Sequence, residues 1–120
     1  MATFTKVLLS GSTGGQPVKV TNTSSAGTLI HTTGTSSSVI DEIWLYCNNT
    51  SGVSVNLTIE YGGTASPDNQ ILVAIPSGSG LSILVPGLIL TGDGSTGRSV
   101  RAFAGTINVI NIVGYVNRIS

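Results

Sequence analysis

Apolar and polar residues alternate along most of this chain with a period of two, the mark of strands that present one side chain to each face in turn. The pattern is clearest over residues 41–47, where Ile43, Leu45 and Cys47 share one face and Glu42, Trp44 and Tyr46 the other. It resumes with Val53, Val55, Leu57, Ile59 and Tyr61, interleaved with Ser54, Asn56, Thr58 and Glu60. Between the two runs lies the cluster Asn48, Asn49, Thr50, Ser51 and Gly52. Asn and Gly tolerate positive φ, and Asn and Ser side chains bond local backbone groups, so this cluster predicts a turn. Residues 39–61 are therefore expected to form a central β-hairpin that holds the single Trp and two of the three Tyr.

Shorter strands are predicted over residues 5–9, 17–21, 28–32, 70–75, 81–85, 88–90, 98–104 and 107–119, with loops of Gly, Ser, Thr and Asn between them. Pro17 suits a strand start, where a missing N–H is tolerated, and Pro86-Gly87 reads as a turn. Residues 1–5 are expected to be a mobile arm. No helical period survives three turns, and 16 glycines would weaken any helix. Eight or nine short strands in 120 residues predict an all-β, single-domain antiparallel β-sandwich, jelly-roll-like, with a shorter barrel as the alternative.

Composition narrows the function. Charged residues make up only 8% of the chain, and five basic and five acidic groups cancel. So neutral a surface has little charge repulsion to keep copies apart, and its simplest use is to be covered by other copies or by a larger assembly. Lys6, Lys19, Arg98, Arg101 and Arg118 are scattered, which argues against a nucleic-acid partner. Cys47 is the only cysteine, which excludes an internal disulfide and a cysteine zinc site and predicts a small buried hydrophobe. No signal peptide is recognised at the start, and the most apolar window, residues 81–90, is half the length of a membrane span and is broken by Pro86-Gly87. Four matches to the Asn-X-Ser/Thr pattern are expected by chance in a chain so rich in Asn and Thr.

Candidate chemistry is sparse. Gly92, Gly94 and Gly97 match a dinucleotide-type spacing, but phosphate binding needs the turn to open a helix, and here it enters the strand pattern of residues 98–104. His31 is the only imidazole available to a Ser-His-Asp triad, and it reads better as a histidine held within a short strand. Asp41 and Glu42 are adjacent, so in a strand they point to opposite faces, which opposes paired acid/base work; capping a loop or pairing with Arg101 or Arg118 is the alternative role. Glu60 and Asp68 do not suffice for a calcium site. Catalytic residues, cofactors and metals are therefore not predicted. Trp44, Tyr46, Tyr61, Phe103 and Tyr115 are the candidate site residues, as core or subunit-interface aromatics or, alternatively, as a sugar-stacking face.

The ordered segments Leu8-Leu9-Ser10-Gly11-Ser12-Thr13, Gly27-Thr28-Leu29-Ile30-His31-Thr32, Asp41-Glu42-Ile43-Trp44-Leu45-Tyr46 and Leu57-Thr58-Ile59-Glu60-Tyr61-Gly62-Gly63 come first. Gly80-Leu81-Ser82-Ile83-Leu84-Val85-Pro86-Gly87, Val100-Arg101-Ala102-Phe103-Ala104 and Gly114-Tyr115-Val116-Asn117-Arg118-Ile119 complete the set. Together they resemble small virion structural proteins of tailed bacteriophages and cyanophages, most of all capsid decoration, or cement, proteins. The resemblance implies a β-sandwich homotrimer on the outer surface of the phage head, made in the bacterial cytoplasm, with the major capsid protein as partner and no nucleic acid or membrane contact. A tail or tail-tip component is the alternative in the same class, and a carbohydrate- or receptor-binding module the alternative outside it. Ala2, Thr3, Phe4, Thr5 and Lys6 are then the expected capsid-contact arm, adding a strand to a coat-protein sheet edge.

Overall fold

The computed structural model describes residues 2–78 and 80–120. Its strands are β1 (Phe4–Leu8), β2 (Val18–Lys19), β3 (Thr28–Thr32), β4 (Ile40–Asn49), β5 (Val55–Tyr61), β6 (Gln70–Ile75), β7 (Ser82–Thr91), β8 (Ser99–Ala104) and β9 (Ile110–Ile119). Among the described residues there is no helix. One sheet has the order β1-β9-β4-β7, with β2 also on β9, and the other the order β3-β8-β5-β6.

The pairings are nested. β5 pairs with β6, β4 with β7, β3 with β8, and β1 and β2 with β9, all antiparallel. The chain is thus one long ribbon folded back at residues 62–69. Rolling that ribbon brings β4 against β9 and β5 against β8, which closes the two sheets. This is the connectivity of a jelly roll, the all-β architecture expected from the strand spacing.

Nesting corrects the central hairpin predicted over residues 39–61. β4 and β5 are consecutive in sequence but lie in opposite sheets. Alternation reports which face a side chain takes, not which strand lies beside it. Asn49 turns the chain out of the first sheet: its amide donates to the carbonyl oxygens of Val53 at 2.8 Å and Ile75 at 2.9 Å, and its side-chain oxygen accepts the Ser51 N–H at 2.9 Å.

Two further expectations change. Pro86-Gly87 is not a turn between strands but a bulge inside the single strand β7, where pairing skips from Ile43↔Leu88 to Trp44↔Pro86. Gly87 takes φ 80°, a value that a glycine reaches without steric cost. A second skip, from Leu45↔Val85 to Tyr46↔Ile83, leaves Leu84 as the extra residue. The arm is also corrected: Phe4, Thr5 and Lys6 are in β1, paired with Ile119, Arg118 and Asn117, and Thr3 exchanges backbone hydrogen bonds with Ser120. Met1 lies outside the described residues.

Inward faces form one core. Ile43, Leu45 and Cys47 of β4, Ile112 and Val116 of β9 and Val85 of β7 pack against Ile30, Leu57, Ile59, Val100 and Ala102 of the other sheet. Strands β4 and β9 approach so closely that Gly114 of β9 has no room for a side chain: a Cβ there would sit 1.9 Å from the Trp44 carbonyl oxygen.

Candidate functional site

Strand alternation in the β1-β9-β4-β7 sheet sends every second residue outward. Ladder partners share a face, so the outer surface is built in rows: Leu8, Tyr115, Trp44 and Pro86 form one, and Lys6, Asn117, Glu42 and Ile89 the next. Tyr46 lies between Val113 and Ile83 in a third row. Trp44 and Tyr115 stack at 6.2 Å with planes 14° apart, and the Lys6 ammonium sits 4.8 Å from the Tyr115 ring centre. Glu42 accepts the Trp44 indole N–H at 2.8 Å and an Asn117 amide N–H at 3.0 Å. These two bonds, Asn117's first, hold the Glu42 carboxyl below its ordinary range.

The five candidate aromatics therefore separate. Trp44, Tyr46 and Tyr115 share this outer face. Tyr61 is half-buried against the core, and Phe103 lies on the outer face of the opposite sheet beside Thr58. The exposed apolar groups are mostly aliphatic: Ile83, Leu88 and Ile89 on β7, Leu81 just before it, Phe4 and Leu8 on β1, Leu72 on β6 of the opposite sheet, and Val53 and Ile107 in loops. Sequence reasoning named Phe4 in the candidate arm but passed over Leu8 and the β7 residues, although the uncharged run 81–91 was the available signal for the latter.

Inside the sandwich a second polar cluster forms around Asp41. Its carboxylate accepts Arg118 Nε–H at 2.8 Å and Nη2–H at 2.9 Å, a two-pronged pairing that strands β4 and β9 place in register. It also accepts His31 Nε2–H at 2.8 Å, while His31 Nδ1 accepts the Ser10 backbone N–H at 3.1 Å. That backbone donor requires a lone pair on Nδ1, which fixes the proton on Nε2. Both ring nitrogens are engaged, and the Ser10 hydroxyl accepts the Thr32 N–H at 2.7 Å, so Ser10, His31 and Asp41 are not wired as a nucleophile, base and orienter. Of the two partners expected for Asp41, the structure selects Arg118; Arg101 donates instead to the Gly27 carbonyl oxygen at 3.0 Å. Burial pushes the Asp41 carboxyl up, but the hydrogen bonds from Arg118 and His31 and their charge outweigh it and leave the group below its ordinary value. Burial first, and the Asp41 charge second, push the Tyr61 phenol up to about 12.

Glu60 is buried beneath the loop before β3, where it accepts the Gly27 N–H at 2.7 Å and a short bond from the Ser25 hydroxyl. Asp68 lies in the exposed loop between β5 and β6. Among the described residues no three His, Cys, Asp or Glu side chains gather as a metal site. The glycine run 92–97 is closed on itself: Asp93 accepts the N–H groups of Ser95 at 2.8 Å and Thr96 at 2.7 Å and so occupies the donors a phosphate would need. A shallow depression of about 370 Å³ lies over β5 and β6, lined by Asn56, Thr58, Leu72 and Ala74.

Comparison with known protein families, with curated proteins and with solved structures finds no match for this chain.

Proposed function

We propose that this chain is a structural protein of a tailed-phage virion, a decoration or cement protein that binds the outer surface of the head as a homotrimer and strengthens the shell. The observation that carries the reading is the pair of exposed apolar edges on one sparsely charged sheet, β7 with Ile83, Leu88 and Ile89 and β1 with Phe4 and Leu8. Exposed apolar surface of this extent marks a macromolecular contact. A trimer at a local three-fold of the shell touches several coat subunits together, so modest contacts add by multivalency. The sequence resemblance supplies the virion context. With Phe4, Thr5 and Lys6 committed to β1, the coat contact uses presented side chains in place of a donated strand.

The stacked Trp44 and Tyr115 are the feature a glycan-binding module would share. Both rings are only partly exposed, and the open apolar groups other than Phe4 are aliphatic and cannot stack on sugar faces. Purified protein added to expanded heads lacking it, followed by cryo-electron microscopy, tests the proposal. Density at the local three-fold positions is expected. Bare heads, or a few copies on the tail alone, would refute it, and a glycan ligand lost in Trp44→Ala with folding intact would favour the module.

A further inference from the structure

Each sheet ends in two rims: β1 with β2, and β7, on the first, and β3 and β6 on the second. Three of these rims are blunted against further pairing. β7 contains Pro86, which has no N–H, and two bulges. The rim of β1 and β2 is split into two short pieces, each with a lysine, Lys6 and Lys19. β3 has a register shift between Leu29 and His31, and residues 10–11 lie over it: Gly11 N–H donates to the Ile30 carbonyl oxygen at 2.9 Å, and the Ser10 hydroxyl accepts the Thr32 N–H. β6 has none of these guards. Gln70–Ile75 is uncharged, contains no proline and pairs with β5 from Gln70 to Ile75 without a shift.

Ladder parity decides which backbone groups of β6 are used. Tyr61 N–H donates to the Asn69 carbonyl oxygen at 2.7 Å, so bonded pairs recur at every second position, Ile59 with Ile71 and Leu57 with Val73. The other side of β5 uses the alternate set: Gly105 N–H donates to the Asn56 carbonyl oxygen at 2.9 Å. Leu72 and Ala74 therefore turn their N–H and C=O groups away from β5, and among the described residues no strand pairs with β6 on that side. Gln70 N–H is already bonded to the Pro67 carbonyl oxygen at 3.0 Å, which leaves Leu72 and Ala74, both exposed, as the open donors.

We infer that β6 takes up an extended segment of another protein as an added strand of its sheet. The N–H and C=O groups of Leu72 and Ala74 supply the main-chain bonds that hold such a strand. Its outward side chains fall beside Leu72 and Ala74, next to the shallow depression these residues line with Asn56 and Thr58. Its inward ones fall beside Ile71 and Val73, which are only partly buried. The segment that fits is uncharged, with small or branched apolar residues at alternate positions. A second copy is the poorer occupant. The rim is about 20 Å long, and two rigid sandwiches meeting along it alone cover far less than the ~800 Å² on each side of a stable interface. The inference goes beyond the decoration reading and does not rest on it.

The probe is a short capped peptide of alternating threonine and valine, N-methylated along one edge so that it pairs on one side only, and the readout is amide hydrogen exchange by NMR. In the free protein Leu72 and Ala74 are expected to exchange fast, and Ile71 and Val73 slowly. Peptide at about ten times its Kd should slow the first two about tenfold and leave Ile83 and Ile89 of β7 unchanged. Leu72→Pro removes an outward N–H that β5 does not use, so it should fold, as circular dichroism will verify, and no longer bind the peptide. Slow exchange at Leu72 and Ala74 without peptide, no slowing at millimolar peptide, slowing at β7 instead, or undiminished binding by folded Leu72→Pro would overturn the inference. So would protection that rises with protein concentration alone, the mark of a second copy. Should Leu72→Pro not fold, the wild-type exchange pattern decides. Head binding enters none of these outcomes, so bare heads would sink the decoration reading alone.

Discussion

Replacing Asp41 by Asn probes the interior cluster most directly. The carboxylate accepts two bonds from Arg118 and one from His31. An Asn keeps one acceptor oxygen and turns an NH2 toward groups that are themselves donors. Breaking one partner of a buried ion pair costs about 3–5 kcal/mol. Arg118 is 33% exposed and can recover water, so the expected loss is about 3 kcal/mol, at the low end of that range. For a domain of this size that corresponds to a fall in Tm of roughly 10 °C. The carboxyl is depressed from its ordinary 3.8, so its stabilisation is fully present above that value and disappears as pH falls through the folded-state pKa. Urea unfolding of wild type and Asp41→Asn should therefore show a constant gap from pH 7 to about pH 4 that narrows below it. A gap under about 1 kcal/mol at pH 7, or one that fails to narrow in acid, would refute the assignment.

Gly114→Ala must push β4 away from β9, because the new Cβ falls 1.9 Å from a backbone oxygen; a loss of about 3 kcal/mol or more is expected in thermal melts. Gly87→Ala places a Cβ 2.8 Å from the Trp44 ring at φ +80° and should cost about 1–2 kcal/mol, with a shift in Trp fluorescence. Burial pushes the Cys47 thiol up to about 11, so Ellman's reagent should label it only after unfolding. Being raised, the thiol and the Tyr61 phenol, at about 12, contribute stability below their unfolded pKa values that is lost as pH climbs through 11–12; absorbance at 295 nm should show one tyrosine ionising late. Asp93→Ala should leave the fold unchanged and speed amide exchange at Ser95 and Thr96, whose N–H groups it accepts.

Much of this architecture is legible in the residues. Strands β3, β6 and β8 fall where alternation places them, and the absence of helical period gives the all-β class. What alternation lacks is pairing. Ile43 and Leu57 both read as inward, and both are, yet from opposite sheets, because the partner of each strand is set by how the whole ribbon rolls. Local turn chemistry misled at Pro86-Gly87 for a related reason: the same dipeptide makes a turn or a bulge, and the neighbouring strand decides which. Of the outer face, Trp44 and Tyr115 were found as aromatics, but their stacking depends on the register between β4 and β9. Ile83 and Ile89 stayed hidden, since an aliphatic in a strand looks the same at a sheet's rim as in its middle.

The nested ribbon also sets a timetable for the chain's birth. Its innermost pair, β5 with β6, spans a short loop and closes early, while β1 has to wait for β9, the last strand to be made. At a ribosomal pace of about 10 residues per second, that delay is roughly ten seconds. Throughout it Phe4, Val7 and Leu8 stand without their ladder, and a newborn chain depends on chaperones, or on speed, to reach its last strand unspoiled.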